Sequence, residues 1–257
     1  MRLTVLGSSA SYAGPGQACA GHYVEAGGAR VMFDCGNGTV ANLGRLIDPA
    51  SLDAVFVTHG HVDHFADVYA LQSALRYAPE GPRAAMPIYL PEGLFDRMKC
   101  LLSERGAAQL DEAFIPVALR DGVPVKVGGL TVTPTKVEHT NPTFALVADA
   151  DDARLVYTSD TAPCESVRIA AAGAGLLLAD ATLPEPYAGM VPHLTAAQAG
   201  ELGREAGVGQ LVLVHAWPSN DRASMAEHAA RTFGAPVVVA SELDVFEVAP
   251  RAERTTQ

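Results

Sequence analysis

Three histidines fall within six residues in the segment THGHVDH, at His59, His61 and His64, with Asp63 between them. His59 and His61 alternate, so an extended segment turns both to one side, while Asp63 and His64 are neighbours and diverge towards a second point. Imidazole nitrogen and carboxylate oxygen are donors that borderline cations such as zinc accept. The pattern is that of two adjacent metal sites, which need more than four ligands. Three further candidates end apolar runs: His139 closes LTVTPTKVEH, Asp160 follows RLVYTS, and His215 closes QLVLVH. The seven side chains suit a pair of divalent ions, zinc first, with manganese and iron also compatible with this donor set.

The elements that must carry these residues read as short strands with helices between them. Apolar runs at Leu3 to Leu6, Ala20 to Glu25, Arg30 to Phe33 and Ala54 to Val57 open the chain. VKVGGLTVTPTKVEH alternates around Gly128 and Gly129 as a hairpin with a primed turn. RLVYTS, GLLLAD and QLVLVH read as buried strands, and helical patterns cover 64 to 77, 92 to 105, 163 to 172, 196 to 206 and 221 to 233. This is an α/β chain with two mixed sheets packed together and helices outside, read as one domain over 1–257. The fourth helix has a distinct start. In HLTAAQAGELG, Thr195 and Gln198 have capping-box spacing and Gly207 stops the helix, which leaves His193 two residues outside the cap with no structural duty. His22 and His228 read as packing or surface residues, and GSSASYAGPGQ (7 to 17) as a loop at a pocket rim without a phosphate-loop pattern.

Composition narrows the function classes. The 257 residues are 49% hydrophobic and 18% charged, enough for a sizeable core. The N-terminus lacks a signal-peptide pattern, and the longest apolar run, Ile169 to Ala179, is too short to span a bilayer. Cys19, Cys35, Cys100 and Cys164 are far apart, as expected of reduced thiols in a cytoplasmic protein. A net charge of −11 without a Lys/Arg cluster argues against nucleic acid or anionic membrane as a partner.

THGHVDH matches the H-x-H-x-D-H signature of the metallo-β-lactamase fold, and the chain resembles that superfamily along nearly its whole length. FDCGNGT (33 to 39), YTSDT (157 to 161) and HLTAAQAGELGREAGVGQLVLVH (193 to 215) are similar to its tRNase Z branch. The resemblance implies an αββα metallo-β-lactamase sandwich. It implies that His59, His61 and His139 hold one metal, that Asp63, His64 and His215 hold the other, and that Asp160 bridges both. It also implies that Asp34 fixes a ligand imidazole and that Asp63 orients a metal-activated hydroxide. His193 becomes a phosphate contact and proton donor, assisted by Asp180, although this chain reads ADAT at 179 to 182 where the branch has H-E-A-T. Thr140, Asn141 and Thr143 are expected to line the substrate pocket.

Members of the branch that process tRNA carry a long arm, often between the ligands matching His139 and Asp160. Only twenty residues separate these two here. The expected substrate is therefore a small anionic phosphodiester, a cyclic nucleotide or other cyclic phosphate. Rival readings are tRNA 3′-end cleavage, lactone or thioester hydrolysis, and a non-catalytic metal-binding module. The resemblance further implies a homodimer.

Overall fold

Alternating apolar residues build two sheets that share one inner face. In the computed structural model, which describes residues 1–78 and 80–250, the first sheet has strand order β14-β1-β2-β3-β4-β5-β6. Its strands are β1 (Arg2–Gly7), β2 (Gly21–Ala26), β3 (Ala29–Cys35), β4 (Ala54–Phe56), β5 (Met86–Leu90), β6 (Phe114–Ala118) and β14 (Val245–Glu247). The second sheet has order β13-β12-β11-β10-β9-β8-β7. It comprises β7 (Val125–Val127), β8 (Leu130–Val137), β9 (Thr143–Ala150), β10 (Ala153–Tyr157), β11 (Leu176–Asp180), β12 (Leu211–Val214) and β13 (Val238–Val239). β7 and β8 form the expected hairpin, with Gly128 at φ 54° in the first turn position.

Side-chain alternation sorts the core into three layers. Val31 and Phe33 of β3 meet Leu176 and Leu178 of β11 in the central layer, while Met32 and Cys35 face the other way, into the cluster beneath the helices. That outer cluster holds α1 (Thr39–Leu43), α2 (Val68–Arg76), α3 (Leu94–Lys99) and α4 (Glu104–Ala113) against the first sheet. Leu177 and Ala179 likewise face α5 (Glu165–Ala171), α6 (Ala196–Ala206) and α7 (Arg222–Phe233). Both sheets are thus covered on both faces, an αββα sandwich whose inner strands are nearly continuous in apolar residues.

Two helices differ from the sequence pattern. Residues 62 to 64 form a 3-10 turn, so α2 begins only at Val68, and this turn sets Asp63 and His64 apart from the strand-like His59 and His61. The run from 92 to 105 divides in two because Ser103 accepts a hydrogen bond from the Gly106 N–H at 3.2 Å, which starts α4 as a separate helix. Among the described residues no helix is long and apolar enough to cross a membrane, and the four cysteines are unpaired.

Candidate metal centre

The ligand residues sit where strands end. β4 runs into His59 and His61, β8 into His139, β10 into Asp160 and β12 into His215, so both sheets deliver donors to one end of the sandwich. His59 Nε2 lies 3.0 Å from His61 Nδ1, and His139 Nε2 lies 3.2 Å from the same atom. Asp160 Oδ2 closes this group at 3.5 Å from His59 and 3.7 Å from His139. Four donors around a tetrahedral zinc stand about 3.3 Å apart, as follows from Zn–N bonds near 2.05 Å. The second group has His64 Nε2 and His215 Nε2 3.1 Å apart, Asp63 Oδ2 at 3.3 Å from His215, and Asp160 Oδ1 at 3.4 Å from His64. One oxygen of Asp160 thus belongs to each group. Its Oδ1 is buried without a hydrogen-bond partner, as a bridging carboxylate oxygen awaiting a cation would be.

Second partners fix which imidazole nitrogen faces inward. His64 Nδ1 donates to Asp34 Oδ2 at 2.8 Å, His139 Nδ1 to the Pro192 carbonyl at 2.9 Å, and His215 Nδ1 to Thr182 Oγ1 at 2.8 Å. His59 Nδ1 donates to Thr58 Oγ1 at 3.1 Å, and His61 Nε2 to Thr140 Oγ1 at 3.3 Å. Every remaining ring nitrogen faces one of the two groups, where its lone pair, once deprotonated, would be free to bind a shared cation. The donor set fits two divalent ions.

Asp34 anchors this shell. It is fully buried, adopts φ 57°, and accepts from Thr58 N, Thr58 Oγ1 and Tyr157 Oη at 2.7, 3.0 and 2.9 Å as well as from His64. Ser159 and His215 also have positive φ, 52° and 55°. Such backbone costs on the order of 1–3 kcal/mol each and persists where surrounding bonds over-determine it. Ser159 Oγ donates to Thr58 Oγ1 at 2.7 Å, and Thr182 Oγ1 stands 2.8 Å from the His215 carbonyl.

Charge in the centre follows the same geometry. Burial disfavours charge on His64, but Asp160 and Asp34 outweigh it and hold the imidazole well above its usual range. Burial opposes charge on His215 too, yet Asp160, Asp180 and Asp63 raise it to about 10. Burial alone would raise Asp160, and His215, His64 and His59 instead keep it well below the carboxylate range. The two groups differ: burial keeps His59, His61 and His139 below the usual imidazole range, whereas the carboxylates around His64 and His215 raise those two.

His193 lies at the seam. Its ring is 4.9 Å from that of His139 and 5.7 Å from that of His215, one residue from each metal group. Its Nδ1 donates to Asp180 Oδ2 at 3.0 Å, so the aspartate in ADAT reaches it. Asp180 is fully buried and also accepts from Leu194 N, Thr182 N and Thr182 Oγ1 at 3.2, 3.0 and 2.6 Å. Burial lowers the His193 pKa, but Asp180 outweighs it and raises the imidazole above its ordinary value. The capping box of α6 is present, with Thr195 accepting from Gln198 N and Gln198 accepting from Thr195 N.

The pocket candidates part company. Thr140 stands at His61 and Asn141 is half-buried, whereas Thr143 is fully buried in β9 with its hydroxyl donating to the Asn141 carbonyl at 2.9 Å. The GSSASYAGPGQ loop comes closer than a rim: Ser11 N–H donates to Asp63 Oδ2 at 2.6 Å. His22 is buried against the Tyr157 ring, centroids 4.7 Å apart, and His228 turns back to Ser224 on α7. The sequence reading missed Thr58, Tyr157, Ser159, Thr182 and Ser11. The first four flank ligands or Asp180 at strand ends, a position that could have marked them.

A family model described as a beta-lactamase superfamily domain matches residues 29–216. The chain is 32% identical over 254 residues to an uncharacterized protein, Rv1339, of Mycobacterium tuberculosis, with 96% of this chain and 92% of the relative covered. It is 27% identical over 286 residues to a Ribonuclease Z of Mycobacterium bovis, covering 98% and 99%. The metallo-beta-lactamase fold protein YhfI of Bacillus subtilis superposes with a TM-score of 0.86 at 24% identity, covering 96% and 99% of the two chains.

Proposed function

The chain belongs to the beta-lactamase superfamily, and from that premise we propose that it is a metal-dependent hydrolase of phosphodiester bonds in a small substrate, a cyclic nucleotide or other cyclic phosphate. The observation that carries the proposal is His193, a protonatable group backed by a buried carboxylate and set between the two ligand groups. His59, His61, His139 and Asp160 would hold one ion and Asp63, His64, His215 and Asp160 the other. Two divalent ions held there, zinc first, would supply an acidified water and an electrophilic seat for phosphate oxygens. Asp63, held by the Ser11 N–H and partly open to solvent, orients the attacking oxygen. His193 gives its Nε2 proton to the departing alkoxide, a role worth roughly 10²–10⁴ in rate. Asp180 keeps that proton on the correct face of the ring by accepting from Nδ1.

The small-substrate reading draws support from chain length. The alignment with Ribonuclease Z extends over 286 positions against 257 residues here, so that relative carries additional chain. Between His139 and Asp160 this chain has only β9 and β10. Cleavage of tRNA at its 3′ end is the second reading, favoured by the same relative's name. A cytoplasmic homodimer completes the proposal.

The test is a panel of cyclic nucleotides, an aryl phosphodiester, a lactone and a tRNA precursor, offered to zinc- or manganese-loaded protein. Phosphodiester turnover is expected, and His193→Ala should lose at least 100-fold in kcat while keeping both metals. His215→Ala should lose metal as well. Turnover of the lactone alone would overturn the proposal.

A further inference from the structure

Thr182 belongs to neither ligand group, yet its buried hydroxyl touches residues that serve both the ions and the proton donor. Two hydrogen bonds hold its backbone in place just beyond β11. Asn220 Nδ2 donates to the Thr182 carbonyl at 2.9 Å, and the N–H of the next residue, Leu183, donates to the Leu194 carbonyl at 3.0 Å, beside His193. Three polar atoms surround Thr182 Oγ1: Asp180 Oδ1 at 2.6 Å, the His215 carbonyl at 2.8 Å and His215 Nδ1 at 2.8 Å. A hydroxyl has one proton to give and lone pairs with which to receive. The carbonyl only accepts. Asp180 accepts as well, since the N–H groups of Thr182, Leu194 and Thr161 reach its carboxylate at 3.0, 3.2 and 3.4 Å. The Thr182 proton therefore goes to one of these two oxygens, and His215 Nδ1–H must be the donor to Oγ1.

Other acceptors compete for that His215 proton. Nδ1 lies 3.3 Å from Asp160 Oδ1 and 3.5 Å from Asp180 Oδ1, against 2.8 Å from Thr182 Oγ1. Neither carboxylate can be spared. Asp160 Oδ1 is the buried oxygen without a hydrogen-bond partner that faces the second ligand group, and Asp180 is the acceptor that orients His193. A hydrogen bond from His215 would occupy the first oxygen in competition with a cation, or would draw the second carboxylate away from His193. We infer that Thr182 is a positioning residue: its hydroxyl accepts from His215 Nδ1 and so reserves Asp160 for the ions and Asp180 for His193, the latter part resting on the phosphodiesterase reading. A β-branched side chain suits the task, because restriction at χ1 leaves the hydroxyl few other directions.

The experiment compares full-length, zinc-loaded wild type with Thr182→Val, which keeps the branched shape and loses the hydroxyl, and Thr182→Ser, which keeps the hydroxyl. A chromophoric chelator competes for the zinc of each protein, and kcat and KM for an aryl phosphodiester are measured at saturating zinc. Thr182→Val should hold its weaker ion roughly 10- to 100-fold less tightly, the scale on which partners of metal ligands act, and at saturating zinc should lose about tenfold in kcat with KM little changed. Thr182→Ser should recover most of both losses. Equal zinc affinity in Thr182→Val and wild type overturns the inference, as does an unchanged kcat in a variant that holds zinc more weakly. A Thr182→Ser protein as impaired as Thr182→Val also overturns it, since packing rather than the hydroxyl would then be responsible. Should Thr182→Val fail to fold, as read by circular dichroism, Thr182→Ala takes its place and the comparison with Thr182→Ser decides. If wild type turns over no phosphodiester, the function reading fails while the zinc competition still decides the role of Thr182.

Discussion

Asp180 reaches His193 although aspartate is one methylene shorter than the glutamate of H-E-A-T. Its carboxylate is fully buried at the end of β11, and backbone N–H groups of Thr182 and Leu194 grip it while it reaches His193 at 3.0 Å. Asp180→Asn should keep two metals per chain and lower kcat about 10- to 100-fold, the cost of removing an outer-shell partner. The sign of the pH effect also follows. A proton donor works below its pKa, Asp180 raises that of His193, and the variant should therefore lose activity at lower pH on the alkaline side; an alkaline limb that does not move would separate Asp180 from proton transfer. His22 makes a different prediction. Burial, followed by the charges of His64 and His215, lowers its pKa to about 3, and neither ring nitrogen has a hydrogen-bond partner. The unfolded chain takes up a proton below about pH 6.5 that the folded chain refuses until about pH 3, so stability falls with acid across that window. His22→Phe should remove about one proton from the pH dependence of unfolding and leave the neutral-pH Tm equal or higher, as measured by thermal melts from pH 3.5 to 7.

The elements read best from sequence where their ends carry chemistry. β4, β8, β10 and β12 were legible because an apolar run stops at a ligand, and α6 because Thr195 and Gln198 announce its start. β5 and β6 escaped because MPIYL and FIPVA each contain a proline and end at no chemically distinctive residue, so nothing local separates them from loop. The division between α3 and α4 escaped although Ser103 carried the capping signal. The Thr58–Asp34–Tyr157 network lay beyond sequence because its members meet only through sheet register and packing. Element contacts also predict a defect without loss of any ligand. A Cβ on Gly36 would come within 2.0 Å of the Asp63 carbonyl, so Gly36→Ala must push the metal-binding turn away from β3. The variant should purify with at least one metal ion fewer per chain by atomic emission, while its far-ultraviolet spectrum still reports a folded sandwich.

At the scale of the whole molecule, a net charge of −11 would oppose the approach of the anionic substrate proposed for the metal centre. Screening shrinks the Debye length from about 30 Å at 10 mM salt to about 8 Å at 150 mM, and this weakens long-range repulsion more than the buried local attraction. The second-order rate constant kcat/KM for a cyclic nucleotide should therefore rise across that range; a fall would mean that the field at the mouth is already positive. The two sheets also come from successive lengths of chain, apart from β14, which returns to pair with β1. The first contributes His59, His61, Asp63 and His64, and the second His139, Asp160 and His215. During synthesis, four donors emerge from the ribosome early and wait without the carboxylate that joins them. Synthesis runs at roughly 5–20 residues per second, and the second group of donors is incomplete until residue 215 has been made. A ribosome-stalled chain ending before His215 should therefore retain no more than one tightly held ion.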